Sequence, residues 1–130
     1  MRRYNKTNNT TLCVIEVINI SKKKESPLTE TAYLILLAMT KPNHGYGVMQ
    51  FAEDKTEGRV VFGPGTLYGA INNLHKKGWI KPCPIDPEER KKDYIITDEG
   101  IEQLNMEIKR LKEVYQIGVE FLNKGSGESD

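Results

Sequence analysis

Asn72, Asn73 and Lys76 are the residues in this 130-residue chain whose types and spacing most directly suggest recognition chemistry. Leu67, Ala70, Ile71 and Leu74 recur at 3.6-residue spacing, which turns Gly69, Asn72, Asn73 and Lys76 to the opposite side of one helix. Tyr68 flanks that polar side and Thr66 stands at the helix start. An asparagine amide can pair with both the N6 and N7 positions of adenine, and a lysine can meet a guanine edge or a phosphate. Gly69 removes bulk from the same face. A second feature follows in sequence, the basic run Arg90-Lys91-Lys92, whose chemistry suits phosphates or a minor groove. Taken alone, such a run fits a solvated loop equally well.

Charge and composition bound the alternatives. The formal net charge is only +1, so bulk electrostatics alone does not point to a polyanion. Its distribution is uneven: residues 59–92 hold seven bases against three acids, a net +4. Residues 97–124 hold six acids against four bases, a net −2. Cys13 and Cys83 match neither a metal-ligand spacing nor a disulfide framework, and adding His44 and His75 does not create one. Gly63-Pro64-Gly65-Thr66 lacks the lysine and spacing of a phosphate loop, and no nucleophile elbow or metal pair is present. No enzyme activity, cofactor or metal is therefore expected. The apolar stretch from Leu12 to Ile20 is interrupted by Glu16 and Asn19 and is too short for a membrane span, so a cytoplasmic protein with no membrane partner is expected.

These residues need elements to position them. Ser26-Pro27 reads as cap and first position of a helix running to about Thr40, apolar around much of its girth and so central. Lys41-Pro42-Asn43 stops it. A second helix is predicted from about Gly45 to Asp54, a short extended piece over 59–62, and a third helix entered at Thr66 and closed by Gly78. Trp79-Ile80 and Tyr94-Ile95-Ile96 read as a β-hairpin whose long loop carries the basic run at its tip. Thr97 then caps a last helix with acids in its first turn.

In that last helix Ile101, Leu104, Ile108, Leu111, Tyr115, Gly118 and Leu122 alternate spacings of three and four, an a/d seam that a second copy of the chain would cover. Val114, Ile117 and Phe121 add a second apolar stripe. The expected fold class is mainly α with a small β-wing: a winged helix-turn-helix over 26–97 and a dimerisation helix over 98–124. A flexible tail is expected over 125–130, and residues 1–25 form an extension with no assigned role.

Three stretches in this order resemble the PadR family of bacterial regulators. They are His44-Gly45-Tyr46-Gly47, then Gly63-Pro64-Gly65-Thr66-Leu67-Tyr68 through Gly78-Trp79-Ile80, and Lys92-Asp93-Tyr94-Ile95-Ile96-Thr97-Asp98-Glu99-Gly100. The resemblance spans roughly residues 28–122 and matches the short subfamily with a single C-terminal helix. It implies a homodimer that binds a double-stranded DNA operator, usually as a repressor, and a small aromatic or drug-like effector near the dimer interface. By the same resemblance Tyr46, Thr66 and Tyr68 contact DNA, with the basic wing at Arg90, Lys91 and Lys92. Gly69 departs from the family's usual proline, and the C-terminal seam lacks the tryptophan that some drug-binding relatives carry there. From composition alone Tyr46 and Tyr68 would pass as ordinary surface or core aromatics, and Trp79 as a packing residue joining wing to core. A winged-helix module that binds another protein is the competing reading, distinguished by its indifference to salt.

Overall fold

Thr29 opens the first helix, α1 (Glu30–Ala38): its hydroxyl accepts from the Ala32 amide at 3.1 Å, and Glu30 lies in the first turn. The computed structural model describes residues 27–84, 88 and 92–129, the last six by backbone alone. The N-terminal extension, Ser26, Arg90 and Lys91 therefore lie outside the described residues. The start expected at Pro27 is corrected to Glu30: Thr29 keeps an extended backbone and its own hydroxyl oxygen caps the helix. Leu34, Ile35, Leu36 and Ala38 of α1 are all buried, as a central helix requires.

Helix α2 (Gly45–Lys55) is capped by His44, whose Nδ1 accepts from the Gly47 amide at 3.3 Å. It ends where Glu57 and Gly58 take positive φ, and the Gly58 amide returns to the Glu53 carbonyl at 2.8 Å. The residues at 59–62 form no strand. They are a loop that sends Phe62 into the core and half-buries Val60. On the surface, Arg59 pairs with Glu30, which holds the Glu30 carboxyl below its ordinary range, chiefly through the side-chain hydrogen bond. Both partners are well exposed, so the pair contributes little.

Helix α3 (Pro64–Lys76) starts two residues before the expected Thr66. Proline at the first helical position already has the required φ and gives up an amide that would lack a helical partner. Leu67, Ile71 and Leu74 seat α3 on the core, and burying each contributes about 1.5–3 kcal/mol. Gly78, at φ 81°, reverses the chain, and the Trp79 amide closes the end on the Leu74 carbonyl at 3.1 Å.

The wing is a two-stranded antiparallel sheet of β1 (Ile80–Pro82) and β2 (Tyr94–Ile96), with Ile80 opposite Ile96 and Pro82 opposite Tyr94. Its base is tied to the helices at two points. Asn43 and Tyr94 exchange backbone hydrogen bonds at 3.0 and 2.8 Å, and the Ile96 amide donates to the Met39 carbonyl at 2.8 Å.

Thr97 caps the long helix α4 (Asp98–Ser129) by accepting from the Gly100 amide at 3.1 Å, while its own hydroxyl donates to the Gly78 carbonyl at 2.7 Å. The first three turns of α4 lie on the domain, burying Gln103, Leu104 and Glu107. Glu107 is held by Arg110 through Nε at 2.9 Å and Nη2 at 2.6 Å, and by the Leu28 amide at 3.3 Å. The bidentate hydrogen bond to Glu107 raises the Arg110 pKa above its ordinary value. Leu104, assigned from its spacing to an intermolecular seam, is 5% exposed within the single chain and belongs to its core. From Leu111 to Asn123 every residue is exposed. The helix also runs through Ser129, past Gly125 and Gly127, where a flexible tail is expected. Propagating an existing helix fixes one residue per hydrogen bond gained, so glycine weakens such an end without having to stop it.

The architecture is a winged helix-turn-helix carrying a long C-terminal helix. Among the described residues no helix is long and apolar enough to cross a membrane.

Candidate nucleic-acid interface

The outward side of α3 is built by what its inward side buries. With Leu67, Ile71 and Leu74 turned to the core, Thr66, Tyr68, Gly69, Asn72, Asn73 and Lys76 are all exposed. Among the described residues, the side chains of Tyr68, Asn72 and Asn73 make no hydrogen bond within the chain. Their donors and acceptors are unused, and the amides of Asn72 and Asn73 lie on the exposed side of the helix.

Three segments converge beside this face. One cleft of about 370 Å³ is lined by His44, Gly45, Tyr46, Tyr68, Ile71, Asn72, Lys92 and Tyr94. It joins the start of α2, the middle of α3 and the base of the wing. Four of the residues expected to take part, Tyr46, Tyr68, Asn72 and Lys92, therefore meet in one place. Thr66, Asn73 and Lys76 lie on the exposed side of α3 and are not part of the cleft lining.

Close approach explains the glycines of the His-Gly-Tyr-Gly stretch. A Cβ on Gly45 would stand 2.5 Å from the Tyr68 hydroxyl oxygen, so glycine there lets the Tyr68 ring lie against the backbone of α2. A Cβ on Gly47 would stand 2.0 Å from Oδ1 of Asn43. Tyr46 projects outward, 62% exposed, with its hydroxyl oxygen accepting from Gln50 at 3.2 Å and its own proton left to donate.

Asn43 is the residue that sequence reasoning missed, having read it only as part of a helix stop. Its Nδ2 donates to the Ala38 carbonyl at 3.1 Å, its Oδ1 accepts from the His44 amide at 2.9 Å, and its backbone pairs with Tyr94. One residue thus links the end of α1 and the start of α2 through its side chain and strand β2 of the wing through its backbone. The legible signal was an asparagine just before a helix start, where its amide competes well for backbone groups. Two ring contacts hold the wing at the other end of α3. His75 meets Tyr94 edge-on at 5.6 Å between centroids, and the Lys77 ammonium stands 4.9 Å from the centre of the Trp79 ring. Trp79 itself is buried in the core, in keeping with a packing role.

Residues 34–106 match the transcriptional regulator PadR-like family. No curated protein matches the chain. Among solved structures, the chain is similar to a transcriptional regulator from Clostridium thermocellum, with 25% identity over 82% of this chain and 95% of the other, at a TM-score of 0.54. A PadR family transcription regulator from Clostridium difficile R20291 shares 22% identity over 72% of this chain and 99% of its own, at a TM-score of 0.60. A PadR family regulator from Eggerthella lenta shares 20% identity over 89% of this chain and 96% of its own, at a TM-score of 0.58. The two lower-identity structures speak for the fold, and it is the family match, over more than half of the chain, that decides membership. The chain belongs to the transcriptional regulator PadR-like family.

Proposed function

We propose that this regulator acts as a homodimer on a palindromic double-stranded DNA operator, as a repressor, with α3 in the major groove and the wing on the flanking backbone. The observation that carries this reading is the outward face of α3, whose Tyr68, Asn72 and Asn73 side chains make no hydrogen bond among the described residues and which adjoins Tyr46 and Lys92 across one cleft. In this account Asn72, Asn73 and Lys76 read base edges, while Tyr46, Thr66, Tyr68 and Lys92 hold the sugar–phosphate backbone. Arg90 and Lys91 extend the wing's contribution. The exposed apolar stripe of α4, including Ile101, Ile108, Leu111, Tyr115 and Leu122, packs on its copy in a second chain. Two recognition helices are then held at a spacing set by α4. A small aromatic or drug-like effector at that interface would favour the state whose spacing does not match the operator.

Two substitutions separate the roles. Asn72→Ala is expected to flatten base preference, costing about 1–3 kcal/mol on the preferred site and nothing on scrambled DNA. Lys92→Ala is expected to weaken all duplexes alike and to reduce the salt slope by about one unit. Anisotropy titrations on preferred and scrambled duplexes at several salt concentrations measure both effects. The reverse pattern would overturn the assignment.

A further inference from the structure

Gly69 is a glycine with no reason inside its own chain. Five other glycines of the described residues have one, while Gly63, Gly65 and Gly118 share its open surroundings; what sets Gly69 apart from these three is its place on the outward face of α3 beside Asn72 and Asn73. Gly58 and Gly78 take positive φ, at 83° and 81°. Gly45, Gly47 and Gly100 lie where an added Cβ would come within 2.5, 2.0 and 2.3 Å of another atom. Gly69 shows neither constraint: it sits in the interior of α3 without a positive φ, and nothing lies within 4 Å of the Cβ it would carry. A glycine in a helix interior loses stability relative to alanine, so this position costs the fold something and returns no packing or backbone benefit. It is also exposed, one turn before Asn72 and Asn73 on the outward side of the helix.

We infer that Gly69 is a specificity-determining residue, the point where the backbone of α3 comes directly against a base-pair edge. This rests on the reading of α3 as the recognition helix. The missing side chain brings the helix axis close enough for the short Asn72 and Asn73 amides to reach adenine edges bidentately. A methyl group at position 69 would hold the helix away from the floor of the groove. Contacts to the phosphates, made by longer side chains, tolerate that displacement, whereas paired hydrogen bonds to base edges do not.

The test is Gly69→Ala, read in two ways. Thermal unfolding of the free protein should rise by a few degrees, since alanine is the better helix former and has open space to occupy. Affinity for a duplex chosen by selection from random sequence should fall about tenfold or more, with affinity for a scrambled duplex unchanged. A variant that binds the selected duplex as tightly as the wild type would overturn the inference. So would an equal loss on both duplexes, which would place position 69 on the backbone and not on the bases. If the wild type itself enriches no sequence, it is the reading of α3 that fails.

Discussion

Replacing Leu111 with aspartate is expected to leave a folded monomer whose affinity for the operator is lower by about 100-fold or more. The expectation rests on where α4 leaves its own domain. Leu104 and Glu107 are buried within the chain, but Ile108, Leu111, Tyr115 and Leu122 are 45%, 39%, 70% and 76% exposed. An apolar stripe continued over four turns exceeds the scattered surface hydrophobics of a monomer and marks an interaction face. Aspartate at 111 costs the single chain little, because Leu111 is outside its core. In a symmetric pair it would bury two carboxylates without partners. Each monomer could then grip only a half-site, losing the two to four orders of magnitude that linkage supplies. Sedimentation and anisotropy measure the two consequences, with circular dichroism confirming the fold. A Leu111→Asp protein that remains dimeric at micromolar concentration would remove α4 from the interface. Leu104 cannot serve in this experiment: aspartate there would enter the core of the winged domain and unfold it.

Gly100→Ala is expected to destabilise the protein by about 3 kcal/mol, lowering the midpoint of thermal unfolding by roughly 10 °C. Helix propensity alone predicts the opposite sign. The added Cβ would stand 2.3 Å from the Trp79 carbonyl oxygen and 2.6 Å from Cγ1 of Ile96. That carbonyl cannot yield cheaply, because it accepts the Thr97 amide at 2.9 Å in the bond that joins the start of α4 to the wing. Relief therefore requires α4 to lift from the domain or the wing to shift, and either loosens Ile96 and Leu104 from the core. The same glycine-to-alanine change raises stability at Gly69 and lowers it at Gly100, and the difference is entirely in what surrounds the new methyl group. A midpoint for Gly100→Ala at or above the wild-type value would contradict the packing described at this junction.

The regular parts of this fold are legible because their signals are local. The α3 face follows from the spacing of Leu67, Ile71 and Leu74, and the cap at Thr97 from a hydroxyl followed by two acids. What escapes the sequence depends on partners distant along the chain. Leu104 and Leu111 occupy the same a/d pattern, and periodicity alone does not say which one the chain's own domain covers. The burial of Glu107 depends on Arg110 one turn away and on the Leu28 amide from the far end of the domain. Asn43 reads as a helix stop, and its link to Tyr94 spans a separation that no window of sequence contains. The start of α3 is a different failure, in which the helix is expected from Thr66 although Pro64 already holds the helical φ. Within the site, the exposed amides of α3 were visible from spacing, whereas the cleft that unites Tyr46, Tyr68 and Lys92 needed the fold.

The most direct test of the central claim is a salt series. Binding of the wild-type protein to a duplex enriched from random sequence, and to its scrambled counterpart, would be measured by anisotropy between about 50 and 200 mM salt. Preference for the enriched duplex is expected at every salt concentration, with affinity falling steeply and linearly on logarithmic axes as phosphate contacts are screened. Failure to enrich any sequence, or association indifferent to salt, would contradict that claim and mark the α3 face and wing as a surface for protein.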